Sequence, residues 1–372
     1  MQFSSVVGQE IVKRRLVDGF HRGRIPHAQL FVGGEGTGAL PLALAYAQFM
    51  LCENPSENDS CGVCGNCKKT TSFTPPDVHF TFPFLKKKGE SDVCSDVYSE
   101  WRAALAVSPY MTYETWMKHL KAENKQGNIP VDECRAIIRN LSLKAFGGGY
   151  KILVMWLPEF LGQQGNILLK LIEEPPQNTL FLLVAEDADN VLNTIVSRTQ
   201  MVRIPPVSDE AMMQALIDRE GLAEKDARKL AMVAAGNYAT ALELLYESNN
   251  PFLEPWMQWL GISFNMHMGK AATWSDEMSG LGREGLKSFL LYGLQLLRAA
   301  AVSPYAMNSG VWDEKEADLV NRLVKLNLGA DRIELMVKLL ENSMYEIERN
   351  GNVKMILLDA SFKLSHLIRK TA

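Results

Sequence analysis

Two uninterrupted runs, Lys151–Trp156 (KILVMW) and Thr179–Ala185 (TLFLLVA), most narrow what this chain can fold into. Each has strand length, and neither alternates apolar with polar residues. Such runs suit strands buried on both faces of a parallel sheet. Gln29–Val32 is a shorter strand candidate, followed by a glycine-rich turn and an apolar helix that runs through Met50. Asn166–Ile172, between the two long runs, reads as a helix stopped by Pro175 and Pro176, since proline lacks the N–H that a helix needs. The alternation predicts an α/β domain, a parallel sheet with helices on both faces.

Pro205-Pro206 marks the end of that pattern, and beyond it the periodicity is wholly helical. Ser208-Asp209-Glu210 is a helix start, with serine as cap and acids in the first turn. A small helical unit runs to about Glu247, and Asn249-Asn250-Pro251 is a second linker. The rest carries long amphipathic patterns, such as Leu335, Val337, Leu339 and Leu340, then Met355 to Leu367. The 372 residues therefore divide into an α/β domain (1–205), a small helical domain (206–250) and an all-helical C-terminal domain (251–372). Residues of about 84–127 show no clear period and read as an inserted excursion, partly helical around Tyr113–Lys121.

With 47% hydrophobic and 22% charged residues, the composition is that of an ordinary globular protein. No signal-like apolar core opens the chain and no run is long enough to span a membrane, so a cytoplasmic protein without membrane contact is expected. The net charge of −4 argues against an autonomous DNA-binding domain; contact with DNA would be local or shared with partners. Lys13, Arg14, Arg15, Arg22 and Arg24 form one basic cluster and Lys86–Lys88 another, both read as solvated surface. Cys94 and Cys134 stand alone and read as buried or surface thiols.

Three segments carry chemistry. Cys52, Cys61, Cys64 and Cys67 have a spacing that can close a tetrahedron of thiolates around Zn²⁺, with Gly62 and Gly65 allowing tight turns between them. A disulfide framework conflicts with a cytoplasmic chain, and a redox CxxC is the remaining alternative. With four thiolates and no open position, the metal's role is structural. Gly33-Gly34-Glu35-Gly36-Thr37-Gly38-Ala39-Leu40 has the place and glycine frame of a phosphate-binding loop, GxxxxGK[ST]. Ala39 stands at the lysine position and Leu40 at the hydroxyl position that would hold Mg²⁺, so the loop reads as vestigial, with no functional ATP–Mg²⁺ site. Trp156 and Leu157 occupy the positions where an ATPase needs acids, and Glu159 sits too far along. These losses together predict a chain that does not hydrolyse ATP.

As a set, these segments resemble the clamp-loader branch of the AAA+ proteins. Val7-Gly8-Gln9-Glu10 is similar to that family's N-terminal box, and His27-Ala28-Gln29-Leu30-Phe31 to its HAxLF strand. Leu168 to Pro176 (LLKLIEEPP) is similar to LLKxLEEPP, Ser197-Arg198-Thr199 to SRC with threonine for cysteine, and Asn350-Gly351-Asn352-Val353-Lys354 to a C-terminal collar signature. The cysteines match a zinc module that bacterial loaders insert after the loop helix. Ala239 falls where the family's lid carries a nucleotide-sensing arginine. The 84–127 stretch is not explained by the family pattern.

The resemblance implies an AAA+ domain, a helical lid and a helical collar in a pentameric ring. It implies a non-hydrolysing subunit of the DNA polymerase III clamp loader. Its partners would be gamma/tau-type motor subunits and a delta subunit, with the sliding clamp and primed DNA met through the complex. Arg198 would act as an arginine finger in trans on ATP held by a neighbouring subunit. Two other readings stay open. An active motor subunit would need the lysine and acids that are missing here, and a stand-alone degenerate AAA+ scaffold would have no use for Ser197-Arg198.

Overall fold

The computed structural model describes residues 1–372 except 86–91, 123–124, 148, 247–251, 303–313, 327, 350 and 370–372. Lys86, Lys87 and Lys88, the linker residues Asn249, Asn250 and Pro251, and Asn350 lie outside the described residues. The chain packs as two compact units, residues 1–222 with 234–243, and residues 223–233 with 244–372.

In the first unit the order is α1 (Glu10–His21), β1 (Ala28–Val32), α2 (Ala39–Leu51), α3 (Gly65–Thr71), β2 (Val78–Thr81), α4 (Tyr98–Val107), α5 (Tyr113–His119), α6 (Val131–Ser142), β3 (Lys151–Trp156), α7 (Leu169–Glu173), β4 (Thr179–Ala185), α8 (Asn193–Val196) and β5 (Gln200–Arg203). The five strands form one sheet in the order β2-β3-β4-β1-β5, and every pairing is parallel. The two long apolar runs are β3 and β4, neighbours within the sheet and buried along their whole length. β2 and β5 went unanticipated because each has only four residues at a sheet edge, and β5 is largely solvent-facing.

The pleat divides the strand side chains between two layers. Ile152, Val154, Trp156, Leu180, Leu182 and Val184 pack with the buried residues of α2. Leu153, Met155, Phe181, Leu183 and Ala185 pack on the other side with Cys134, Ile137 and Leu141 of α6 and Ile195 of α8. Lys151 is buried at the head of β3, and its Nζ donates to the carbonyls of Leu141 and Leu143 at the end of α6. A cation there satisfies carbonyls that the helix leaves unpaired.

The expected helix over 166–172 is shorter than its apolar pattern. Residues Pro158–Leu168 run as tight three-residue turns, interrupted at Gly162, and α7 begins only at Leu169. Leu157 enters this segment with φ 57° and Gly162 has φ 55°, so no regular helix runs through either position. Glu174 leaves helical geometry directly before Pro175, as the residue ahead of a proline tends to do.

The 84–128 excursion is tied at its base by an antiparallel bridge, in which Phe84 and Asn128 exchange two N–H···O bonds of 3.0 Å. Its body is part of the core. Trp101 of α4 stacks on Phe82 at 4.1 Å between ring centroids, meets Trp116 of α5 edge-on at 5.2 Å, and lies 5.2 Å from Trp156 of β3. Buried Glu133 of α6 accepts bonds from Thr81 Oγ1 (2.7 Å) and the Cys94 amide (2.8 Å), fixing the excursion to β2.

Beyond β5 every described element is helical: α9 (Asp209–Glu220), α10 (Glu224–Ala234), α11 (Tyr238–Tyr246), α12 (Leu253–Asn265), α13 (Met268–Ser279), α14 (Gly282–Val302), α15 (Glu314–Lys325), α16 (Ala330–Glu348) and α17 (Val353–Arg369). Ser208 caps α9, its Oγ accepting the Ala211 amide at 3.2 Å. The second unit has its own core around Trp256, Trp259, Trp274 and Phe289, in which Trp259 Nε1 donates to Ser361 Oγ at 2.7 Å. Leu335 and Met355 stand on outer faces, so the amphipathic stripe is narrower than the sequence pattern implied. No described helix is long and apolar enough to cross a membrane.

If Trp101 holds the excursion to the sheet, Trp101→Ala should cost about 3–5 kcal/mol of unfolding free energy. Urea unfolding followed by tryptophan fluorescence measures this, and a loss under about 1 kcal/mol would place the excursion outside the core.

Candidate functional site: a glycine loop, a thiol cluster and an exposed arginine

The glycine loop leaves the end of β1 and enters α2. Gly33 N–H donates to Ala185 O at 3.1 Å, continuing the β1–β4 ladder by one bond. Thr37 folds back on Gly34 through its amide (3.2 Å) and hydroxyl (2.7 Å). Gly36 and Gly38 have φ of 65° and 91°, backbone that side chains with a Cβ rarely adopt. Gln9 binds the loop to the rest of the domain, its Nε2 donating to Thr37 O (2.9 Å) and Pro205 O (2.7 Å). The Val7–Glu10 box thus joins two distant segments. In the same way His27 Nε2 meets Ile172 O at 2.9 Å, joining the HAxLF strand to the LLKLIEEPP segment.

Ala39 and Leu40 open α2 with their side chains buried. Trp156 and Leu157 are also buried and line the space beside the loop, together with Val184 to Glu186. Glu159 turns away: its Oε1 accepts the amides of Glu186 (2.7 Å) and Asp187 (3.2 Å), and burial raises its pKa above the ordinary carboxylate value.

The excursion reaches this loop, a contact without any local sequence signal. Pro109, Tyr110 and Met111 complete the wall, and the space left is about 30 Å³, room for a water molecule or two. Tyr110 Oη accepts the Val7 amide at 2.7 Å, and burial pushes its pKa up to about 12. From the other side Tyr238 N–H donates to Gly36 O at 3.0 Å. No local pattern around Tyr110 or Tyr238 marks them, because each acts across a long stretch of chain.

The four cysteines converge. Cys52 ends α2, Cys61 lies in the loop, Cys64 caps α3 and Cys67 is inside it. Their sulfurs lie within 4.8 Å of one another, with Cys61 and Cys67 at 3.9 Å. Four thiolates around one zinc at ~2.3 Å would stand about 3.8 Å apart, so this donor set fits the ion. The amides of Cys61, Cys64 and Cys67 donate to the sulfurs of Cys52 (3.2 Å), Cys61 (3.3 Å) and Cys64 (3.4 Å). The Cys64 amide and then the Val63 amide lower the Cys61 pKa to about 6, whereas burial first, then neighbouring thiols, raises that of Cys67. Such a cluster ionises fully only around a cation. Asp59 anchors the module by accepting the amides of Phe3 (2.9 Å) and Ser4 (3.0 Å). Cys94 and Cys134 are buried, and burial raises both pKa values.

Arg198 follows α8 in the turn before β5 and keeps a third of its side chain exposed. Its Nε pairs with Glu173 Oε1 at 2.5 Å, and its Nη1 donates to Thr194 O (2.9 Å) and Ser197 Oγ (3.3 Å). The LLKLIEEPP segment and the Ser-Arg turn, far apart in sequence, are therefore held together. In the basic cluster Arg14, Arg15, Arg22 and Arg24 are exposed as expected. Lys13 is not: it is buried, with Nζ bound to Val6 O (2.8 Å) and Glu10 Oε1 (2.7 Å). An amphipathic helix puts one residue of such a run on its inner face, where a backbone carbonyl receives the charge.

A sequence model of the family described as "DNA polymerase III, delta subunit" matches residues 8–208. The chain is 26% identical over 250 residues to DNA polymerase III subunit tau of Bacillus subtilis, covering 66% of this chain and 37% of that protein. It is 26% identical over 249 residues to subunit delta' of the same organism, covering 66% and 61%, and 26% identical over 239 residues to subunit delta' of Escherichia coli, covering 63% and 59%. Each match spans less than two thirds of the relative's own length. Among solved structures, a gamma-subunit-related protein of Thermotoga maritima aligns with a TM-score of 0.39 at 17% identity, covering 97% of this chain and 99% of that one.

Proposed function

Since the chain belongs to the DNA polymerase III delta-subunit family, we propose that it is a delta-prime-type subunit of the clamp loader, one that helps load the sliding clamp onto primed DNA without hydrolysing ATP itself. The observation that carries this reading is the loop itself: its glycine frame is intact, yet buried Ala39 and Leu40 stand where a phosphate-facing cation and a Mg²⁺ ligand are needed. A motor-type subunit, the rival that the tau relative brings to mind, needs both groups and acids at the end of β3, where Trp156 and Leu157 are buried against aromatic and backbone neighbours.

On this reading residues 1–205 are a degenerate AAA+ domain, 206–250 a lid and 251–372 a collar. The partners are gamma/tau-type motor subunits and a delta subunit in a cytoplasmic pentameric ring. Arg198 serves a neighbour. Its guanidinium is always charged, presents a planar fork to phosphate oxygens, and is held near the surface by Glu173 and Thr194 rather than buried. Glu173 would then park the finger until a more strongly anionic γ-phosphate replaces it.

Zinc on Cys52, Cys61, Cys64 and Cys67 would supply a cross-link between the end of α2 and the start of α3. The protein purified without chelator should carry one zinc per chain by elemental analysis, and Cys64→Ser with Cys67→Ser should lose it. Structural zinc contributes about 10–16 kcal/mol of binding free energy, so stripping it should unfold this module. A metal-free preparation with a folded module would refute the assignment.

The isolated chain should show no ATP turnover above background. In a reconstituted loader, Arg198→Ala should leave assembly and zinc content intact but lower DNA- and clamp-stimulated hydrolysis. The site served by this finger should lose about 10³–10⁵ in rate while other sites keep theirs, so the bulk loss is partial. Unchanged hydrolysis and unchanged clamp loading would leave Arg198 a salt-bridged structural residue.

A further inference from the structure

We propose that the chain carries its own occupant for the glycine loop: Tyr110 from the excursion and Tyr238 from α11 close on it as a clasp, filling the place where a nucleoside triphosphate would sit. The inference deepens the non-hydrolysing reading above, because it concerns the space at the loop rather than the chemistry lost from it.

Three contacts build the clasp, all inside the first compact unit. On one side the Tyr110 ring packs over Gly38, where an added Cβ would stand 3.3 Å from Tyr110 Cε1. On the other, Asn237, Tyr238 and Ala239 press on Gly36 so closely that an added Cβ would meet Asn237 Oδ1 at 1.7 Å and the Ala239 amide at 2.8 Å. The two tyrosine rings then meet edge to face at 4.8 Å and 65°, bridging the excursion and α11. The Val7 amide bond to Tyr110 Oη locks the N-terminal segment into the same cluster.

A nucleotide pocket usually offers about 300–1,000 Å³. Here the loop, the excursion and the end of β3 leave about 30 Å³. Four chain segments meet at Tyr110: the N-terminal box, the loop, the excursion and α11. A bound nucleotide could join such segments reversibly; a buried side chain joins them permanently. The clasp would therefore hold Asn237–Ala239 against the loop in one arrangement. Gly36 and Gly38 are retained for the close approach of chain to chain, not of phosphate to chain.

Hydrogen–deuterium exchange on the full isolated chain tests this. Tyr110→Ala should speed exchange by about tenfold or more over residues 34–41 and 236–241, the size expected when an edge-to-face ring pair and its packing are lost. Exchange in β3 and β4 should stay as slow as in the wild type. Tyr110→Phe keeps the ring and removes only the acceptor, so it should speed exchange at Val7 and leave 34–41 protected. Unchanged exchange at 34–41 and 236–241 in Tyr110→Ala would overturn the clasp. So would loss of protection at 34–41 in Tyr110→Phe equal to that in Tyr110→Ala. If Tyr110→Ala fails to fold, Tyr110→Leu, which removes the ring pair but keeps an apolar side chain, takes its place with the same two outcomes at 34–41 and 236–241. Millimolar Mg–ATP should leave exchange at 33–41 of the wild type unaltered, and protection there would overturn the occlusion. That outcome would leave the trans role of Arg198 standing, whereas failure of Arg198→Ala in the loader would leave the clasp standing.

Discussion

Burial of the central strands on both faces is the constraint on which the first unit depends. β3 and β4 have no solvent-facing residue, so each layer of the sheet must be covered by something apolar. α6, α7 and α8 cover one side and α1, α2 and the excursion the other. Trp156 shows why the excursion is needed. It is a large ring at the end of β3, and Trp101, itself backed by Trp116, supplies aromatic surface against it. Rings of this kind bury roughly 150–250 Å² each, so three of them in one cluster outweigh most single contacts in the domain.

The same cluster links fold to site. An acid at the end of β3 would need solvent or a metal beside it, because an unpaired buried carboxylate is costly. Trp156 and Leu157 need the opposite surroundings, and the excursion supplies them. Once α4 and α5 are packed there, the connection between them, Ser108 to Thr112, runs directly over the glycine loop. Covering the core and filling the loop are thus one event.

Five charged groups outside this apolar centre are held by nearby polar partners. Lys13 and Lys151 give their ammonium groups to backbone carbonyls, Glu133 and Glu159 collect donors, and Arg198 rests on Glu173. Lys13, Lys151 and Glu133 are buried and Glu159 is half-buried, so removing their partners would strand a polar group. Arg198 differs in being partly exposed, where an ion pair contributes little and can be exchanged for a stronger anion. The thiol cluster lies between these cases: its amides and short spacings favour ionised sulfur, but only a cation can balance all four.

Much of the architecture was legible in the sequence. β3 and β4 match their apolar runs residue for residue, and Ser208 caps the helix that it announces. The cysteine spacing and the missing lysine and hydroxyl after Gly38 are likewise local facts of the chain. Periodicity and spacing report what a residue's near neighbours require, and these features depend on nothing further. The delayed start of α7, the burial of Lys13, the pairing of Arg198 with Glu173 and the meeting of Tyr110 with Tyr238 were decided only in three dimensions. The last two join segments whose separation along the chain carries no signal, and the first two depend on backbone geometry and on which helix face turns inward, which packing alone decides.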